Sequence, residues 1–156
     1  MVAPLVSRAW SVVVACILLV LVAVVMWAYS TPYTTDDAAF FFRYADNLAR
    51  GHGFRWNVSE PPVWGATAPL WPLSMAVLVR LGVDAPAPSL ALGFAYSLSA
   101  LLLLGLVARS VAGPWAVASL AVLTAVNYRY CFWSLQGMEC ALTFLVVGVG
   151  LAASVF

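Results

Sequence analysis

The chain has 156 residues, of which 65% are hydrophobic and 8% are charged, and its formal net charge is +1. Soluble globular domains carry about 25% charged residues, so this composition excludes a soluble core and indicates that lipid surrounds most of the chain. The near-neutral charge excludes a nucleic-acid-binding surface, and the three cysteines lack the spacing of a metal site.

The first apolar run covers residues 10–29 and follows Arg8. It is longer than the roughly 7 to 15 residues of a signal-peptide core and matches the roughly 20 that a spanning helix needs. We therefore predict a membrane anchor whose N-terminus is cytoplasmic. Removal as a signal peptide stays open, because Ala28, Tyr29 and Ser30 form an acceptable cleavage site.

Residues 30–88, here called the polar segment, contain nine of the thirteen charged residues and the single histidine. Their first half predicts a helix that Thr34 or Thr35 can cap, with Asp36 and Asp37 in the first turn and Gly51 at its end. Residues 52–69 are rich in Gly, Pro, Trp and Asn, which indicates an irregular connection.

Helical spacing divides this predicted helix into two faces, as in an amphipathic helix at a membrane surface. The apolar face consists of Phe40, Phe41, Tyr44 and Leu48. The polar face consists of Arg43, Asp46, Asn47 and Arg50. Counting by three and four from Asp37 reaches the apolar face, so we expect Asp37 to point inward and Asp36 to line up with Arg43.

Three further runs predict spanning helices over residues 89–108, 115–133 and 140–156. Residues 69–81 are too short to cross and predict an interfacial or re-entrant helix. The fold class is thus an all-α integral membrane protein with four spans and a large first outer loop. This topology places Arg8 and Arg109 in the cytoplasm. The positions of the arginines hardly distinguish it from the alternative topology, because Arg80 would be cytoplasmic and Arg109 outside if residues 69–81 crossed the membrane.

Adjacent acids at Asp36 and Asp37 are the first candidates for catalysis, because a carboxylate aimed at protein beside a membrane is paired, metal-bound or a base. Glu139 is the second, since the predicted topology places it on the same side as Asp37. The two could hold a divalent cation, Mg²⁺ or Mn²⁺, or divide base and positioning roles. The alternative for each acid is a favourable interaction with a helix dipole.

Candidate substrate-binding residues follow in the polar segment: Arg43, His52, Arg55 and Trp56. Arginine and histidine suit a phosphate, and tryptophan suits a sugar face. The alternative is a structural role, because the same residue types are common in the belts at membrane interfaces.

Longer motifs contain these residues: DDAAFFFRYADNLARGHGF over residues 36–54, then Trp56-Asn57, Glu60-Pro61-Pro62, ATAPLW over 66–71 and FWSLQGME over 132–139. Together they resemble GT-C membrane glycosyltransferases, and among these the actinobacterial cell-wall arabinofuranosyltransferases. The resemblance covers only the N-terminal part of such enzymes, so residues 1–156 would be part of a GT-C transmembrane module, truncated or split and inactive alone.

This resemblance implies transfer of a pentose or hexose from a polyprenyl-phosphate donor to a glycan acceptor hydroxyl at the outer face of the plasma membrane. Asp37 or Asp36 would then be the catalytic carboxylate, and Glu139 would match the second-loop acid. Two rival hypotheses stay open: a non-catalytic membrane protein that binds lipid-linked sugar, and a small transporter subunit. Against the transporter, we identify no acidic or basic residue near the middle of a predicted span.

Overall fold

The computed structural model describes residues 17, 20–26, 28, 35–63 and 65–156. In this part of the chain the helices with both ends described are α1 (Ala38–Ala49), α2 (Leu70–Arg80), α3 (Ala87–Ala112), α4 (Pro114–Val126), α5 (Tyr128–Ser134) and α6 (Cys140–Val155). Residues 20–26 are also helical, and the described residues form no strand. The all-α prediction is therefore confirmed, whereas most of the predicted anchor over 10–29 lies outside the described residues.

Among the described helices, α3 is long and apolar enough to cross a membrane. Its 26 residues rise by about 39 Å, more than the roughly 30 Å hydrocarbon core of a bilayer. It contains the predicted span 89–108. The helices α2, α4 and α6 are apolar but have 11, 13 and 16 residues, so the described residues show one candidate span and not four. The short α2 confirms a helix within residues 69–81, and its interfacial position stays a prediction.

The prediction of one continuous helix over residues 115–133 is wrong. Helix α4 ends at Val126, and Asn127 takes ψ 87° before α5 begins. The Asn127 Oδ1 accepts a hydrogen bond of 3.1 Å from the Tyr130 backbone N–H. Asparagine is among the preferred N-cap residues because its side chain satisfies such free N–H groups, so it starts a new helix inside the apolar run.

Helix α1 begins later than predicted, at Ala38, because Asp36 and Asp37 lie in the turn that precedes it. Its end is as predicted at Gly51, which has φ +82°. The Gly51 and His52 N–H groups donate to the Leu48 and Asn47 carbonyl oxygens at 3.1 and 2.9 Å. This pair of bonds is the Schellman motif, in which glycine takes the left-handed position at little steric cost.

Two buried clusters hold the helices together. The first joins α1, α2 and the connection between them, and consists of Phe41, Tyr44, Ala45, Ala66, Trp71, Met75 and Ala76. The second lies in the bundle around α3 and consists of Val22, Met26, Leu101, Cys131 and Leu135. Helix α3 packs along α6 as well, where Gly148 lies against Ala100 and Leu103. The first cluster lies at the end of the bundle where α3 begins, and it positions the turn before α1 that contains Asp36 and Asp37.

Glycine at position 93 allows α3 to approach the end of α5, because an added Cβ would collide with the Ser134 carbonyl oxygen. We expect Gly93→Ala to destabilise the fold by about 1 to 3 kcal/mol, the cost of overpacking a fitted interface. The matched control is Gly105→Ala in the same helix, where the nearest atom to the added Cβ is 3.8 Å away.

Thermal unfolding of both variants in detergent micelles checks this expectation. Gly105→Ala should be neutral or stabilising, because alanine has the higher helix propensity. Equal stability of the two variants would contradict the close approach of α3 and α5.

Candidate functional site

Two acid-bearing turns that are distant in sequence meet in the structure. Residues 135–139, here called the α5–α6 turn, lie against the turn that precedes α1. The backbone N–H and the hydroxyl of Thr35 both lie 3.4 Å from the Gln136 carbonyl oxygen, across a separation of 101 residues. Gly137 has φ +81°, and an added Cβ would be 2.8 Å from the Ala38 Cβ. Both its conformation and its neighbour therefore require glycine.

Trp71 of α2 ties the α5–α6 turn to the polar segment. Its side chain is 0% exposed, and its Nε1–H donates to the Gly137 carbonyl oxygen at 2.9 Å in a buried hydrogen bond. A buried carbonyl that lost this donor would carry an uncompensated desolvation cost. The interaction thus fixes the position of the turn that carries Glu139.

Glu139 directs its carboxylate toward the polar segment. Its Oε1 accepts a hydrogen bond of 3.2 Å from the Thr67 hydroxyl. Its Oε2 is buried and has no hydrogen-bond partner among the described residues. Glu139 is the N-cap residue of α6, yet its side chain makes no capping hydrogen bond. A buried carboxylate oxygen without a donor is costly, so this atom is suited to a ligand hydroxyl, a proton or a cation.

Asp36 and Asp37 are both exposed, so the expectation that Asp37 points inward is wrong. The inward positions at this end of α1 belong to Ala38 and Phe41, which are 0% and 5% exposed. Asp37 is the N-cap residue, and its side chain makes no capping hydrogen bond. The carboxylate is therefore accessible to solvent or a substrate at the edge of the site.

Ala38 lies against Gly137, and Thr35 lies against Gln136. These contacts between neighbouring residues bring the acids of the two turns to the same end of the molecule. Within the described residues, however, no three His, Cys, Asp or Glu side chains come together as a group that could hold a metal ion. The Mg²⁺ or Mn²⁺ site proposed for Asp37 and Glu139 therefore stays a prediction.

The predicted substrate-binding residues separate into two groups. Arg43 and Trp56 lie together, because the Arg43 Nε–H donates to the Trp56 carbonyl oxygen at 3.0 Å. His52 and Arg55 instead line an open depression of about 450 Å³. Arg55 also donates from a terminal nitrogen to the Glu60 carbonyl oxygen at 3.1 Å, so part of its role is to hold the loop.

Sequence reasoning missed the residues that shape the connection between α1 and α2. Asn47, assigned to the polar face, is 3% exposed and donates to the Arg55 and Trp56 carbonyl oxygens at 2.7 and 3.1 Å. The Tyr44 hydroxyl donates to the Val63 carbonyl oxygen at 2.6 Å and accepts from the Gly65 N–H at 3.0 Å. Asparagine within a helix is a weak signal of such a role, because its side chain tends to bond backbone groups.

Comparisons with protein families, with curated proteins and with solved structures found no match. The functional argument therefore depends on the sequence motifs and on the geometry of this site.

Replacement of Trp71 by phenylalanine tests the link between the two turns. Trp71→Phe keeps an aromatic ring but removes the N–H donor, so we expect a loss of about 1 to 3 kcal/mol of stability from the unsatisfied Gly137 carbonyl. Amide exchange of residues 136–139 should accelerate with it, as measured by mass spectrometry in micelles.

The control is Trp115→Phe, which alters a side chain that is 83% exposed. It should leave both stability and exchange near those of the unmodified chain. If Trp71→Phe left them unchanged as well, the buried hydrogen bond would not be what holds the α5–α6 turn.

Proposed function

We propose that the chain forms the acid-bearing module of a GT-C-type membrane glycosyltransferase, which transfers a pentose or hexose from a polyprenyl-phosphate donor to a glycan hydroxyl. The observation that carries the proposal is the contact between the start of α1 and the α5–α6 turn, made through Ala38 and Gly137. Their sequences, DDAAFFFRYA and FWSLQGME, are the two motifs that resemble this class of enzyme. Arabinofuranose is our first choice of sugar, from that resemblance alone.

The two kinds of carboxylate suit different parts of such a reaction. The exposed carboxylate of Asp37, or of its neighbour Asp36, can accept the proton of an acceptor hydroxyl. The acceptor oxygen then bonds to the anomeric carbon of the sugar, and the bond from that carbon to the phosphate oxygen breaks, which releases polyprenyl phosphate. Glu139, with one oxygen buried and without a partner in the described part of the chain, can accept a hydrogen bond from a sugar hydroxyl and orient the ring.

For the membrane arrangement we propose four spans in the plasma membrane with a cytoplasmic N-terminus. The first would lie over residues 10–29, α3 and α6 would be the second and fourth, and α4 with α5 would together form the third. A broken span of this kind is tolerated where the break faces protein or a water-filled cavity. The polar segment then lies outside the cell, and Arg109 joins Arg8 in the cytoplasm.

Substitution of the acids tests the catalytic assignment. Asp37→Asn should abolish transfer and Glu139→Gln should reduce it by about 10- to 100-fold, because each keeps the shape of the side chain but loses its charge. The measurement is transfer of labelled arabinose from its polyprenyl phosphate to an acceptor oligosaccharide, in membranes from cells that produce the protein.

Asp84→Asn is the matched control, since Asp84 is an exposed acid of the polar segment outside the two turns. It should transfer sugar at the unmodified rate. Full activity of Asp37→Asn and Asp36→Asn, alone and combined, would overturn the assignment of the base.

Cysteine labelling tests the proposed topology. In a variant without the native cysteines, Ser59→Cys lies at an exposed position of the polar segment and Ser110→Cys at an exposed position near the end of α3. A membrane-impermeant maleimide should label the first in intact cells and the second only after permeabilisation. The reverse pattern would contradict the outer position of the polar segment.

A further inference from the structure

The open depression of about 450 Å³ in the polar segment lies apart from the two acid-bearing turns. Its lining consists of His52, Gly53, Phe54, Arg55, Pro62 and Val63. Asn47 of α1 holds this loop, since its side-chain amide donates to the Arg55 carbonyl oxygen at 2.7 Å. Asn47 lies about 15 Å along the helix axis from Asp37, at a rise of about 1.5 Å per residue. A phosphate that leaves the reacting sugar must lie next to the attacked carbon, so the depression is separate from the reaction centre.

The polar groups that line the depression are hydrogen-bond donors. In the hydrogen bonds of the described residues Arg55 uses one terminal nitrogen, which donates to the Glu60 carbonyl oxygen at 3.1 Å. Its Nε and its second terminal nitrogen form one edge of the guanidinium, and such an edge can bind two oxygens of an anion. The His52 imidazole is exposed and has an N–H donor in either protonation state.

Gly53 adds a backbone donor to these side chains. Its N–H has no acceptor among the described residues, and a Cβ added to Gly53 would meet no atom within 4 Å. The backbone is therefore open to the depression at this point. The loop is also fixed before any ligand binds, because the Arg55 N–H donates to the Gly53 carbonyl oxygen at 2.9 Å. A preformed set of donors loses less entropy when it binds a ligand.

Charges near the depression favour an anion. Asp46 is paired with Arg50 at 2.9 Å, the single ion pair within the described residues. Glu60 is exposed and binds Arg55 through its backbone carbonyl, so the Arg55 charge is not neutralised by an ion pair in the described chain. A carboxylate ligand offers two oxygens, whereas a phosphate offers three or more in a tetrahedral arrangement. Donors from a guanidinium edge, an imidazole and a backbone N–H match the phosphate better.

We propose that the depression is a phosphate-binding site, in which the Arg55 guanidinium binds two phosphate oxygens and the His52 imidazole and the Gly53 N–H donate to the others. The apolar part of the lining packs against the carbon atoms of the phosphate ester. The phosphate belongs either to a lipid headgroup or to a soluble phosphorylated sugar, which share this chemistry. The inference goes beyond the proposed function, because such binding requires no sugar transfer.

Calorimetric titration of the full chain with inorganic phosphate tests the site, in dodecyl maltoside micelles, which contain no phosphate of their own. Arg55→Gln should weaken phosphate binding by about tenfold or more, because it removes the charge and the two-donor edge. His52→Ala should weaken it by about three- to tenfold, the range that one hydrogen bond contributes. His52 is exposed, so this variant should unfold at the temperature of the unmodified chain.

Arg80→Gln is the matched control, because Arg80 is an exposed arginine of the polar segment outside the depression and the change in net charge is the same. It should bind phosphate like the unmodified chain. Glu60→Gln should strengthen binding by about two- to threefold, since it removes a negative charge from the same loop. The exposed position of Glu60 makes this variant independent of any loss of fold in Arg55→Gln.

Three further probes identify the source of the phosphate: glucose 1-phosphate, dihexanoyl phosphatidic acid and glucose, each corrected for titration into micelles without protein. Tighter binding of phosphatidic acid assigns the site to a lipid headgroup, and tighter binding of glucose 1-phosphate assigns it to a soluble sugar phosphate. Glucose should not bind to the depression.

Three results would overturn the site: no binding of phosphate by the unmodified chain, unchanged binding by Arg55→Gln or His52→Ala, or an equal loss in Arg80→Gln. The last result would mean that phosphate is attracted by the net charge of the polar segment and not by the depression.

Discussion

The buried hydrogen bond from the Trp71 indole to the Gly137 carbonyl oxygen joins the two halves of the site. Trp71 lies in the cluster that unites α1 with α2, and Gly137 lies in the turn that leads into α6. Because Gly137 also lies against Ala38, the same turn is held by α1 and α2 together. The relative position of Glu139 and the acids before α1 follows from these two contacts.

The site combines three environments of different polarity. Asp36 and Asp37 are exposed, Glu139 has one buried oxygen without a partner in the described chain, and Phe40 exposes an aromatic ring beside them. Exposed acids can exchange protons with water, whereas a buried, unsatisfied oxygen favours a ligand that donates a hydrogen bond. This division of roles fits the sugar transfer that we propose from the motifs.

Local features of the fold could be predicted from the sequence, because they depend on neighbours in the chain. The end of α1 at Gly51 and the short helix α2 are of this kind. The break at Asn127 was not predicted, because one capping side chain interrupts a run whose composition fits a span. The inward face of α1 was also misplaced, because its buried residues include Ala38, Ala45 and Asn47, whereas Asp37 and Phe40 are exposed.

The contacts that build the site were beyond sequence reasoning for a different reason. The bond between Thr67 and Glu139 joins residues 72 positions apart, and nothing in the local pattern of either segment specifies it. Periodicity indicates which face of a helix is apolar, but not which loop will pack on it. The acids could thus be named as candidates from the motifs, while their partners required the structure.

A double-mutant cycle on this pair tests the central claim that the two segments form one binding site. Thr67→Val, Glu139→Gln and the double variant would each be titrated with short-chain polyprenyl-phosphate arabinose in nanodiscs. If the hydroxyl positions the carboxylate for the sugar, the two losses should be non-additive by about 0.5 kcal/mol or more. Strictly additive losses, or no effect of Glu139→Gln on binding, would contradict the account.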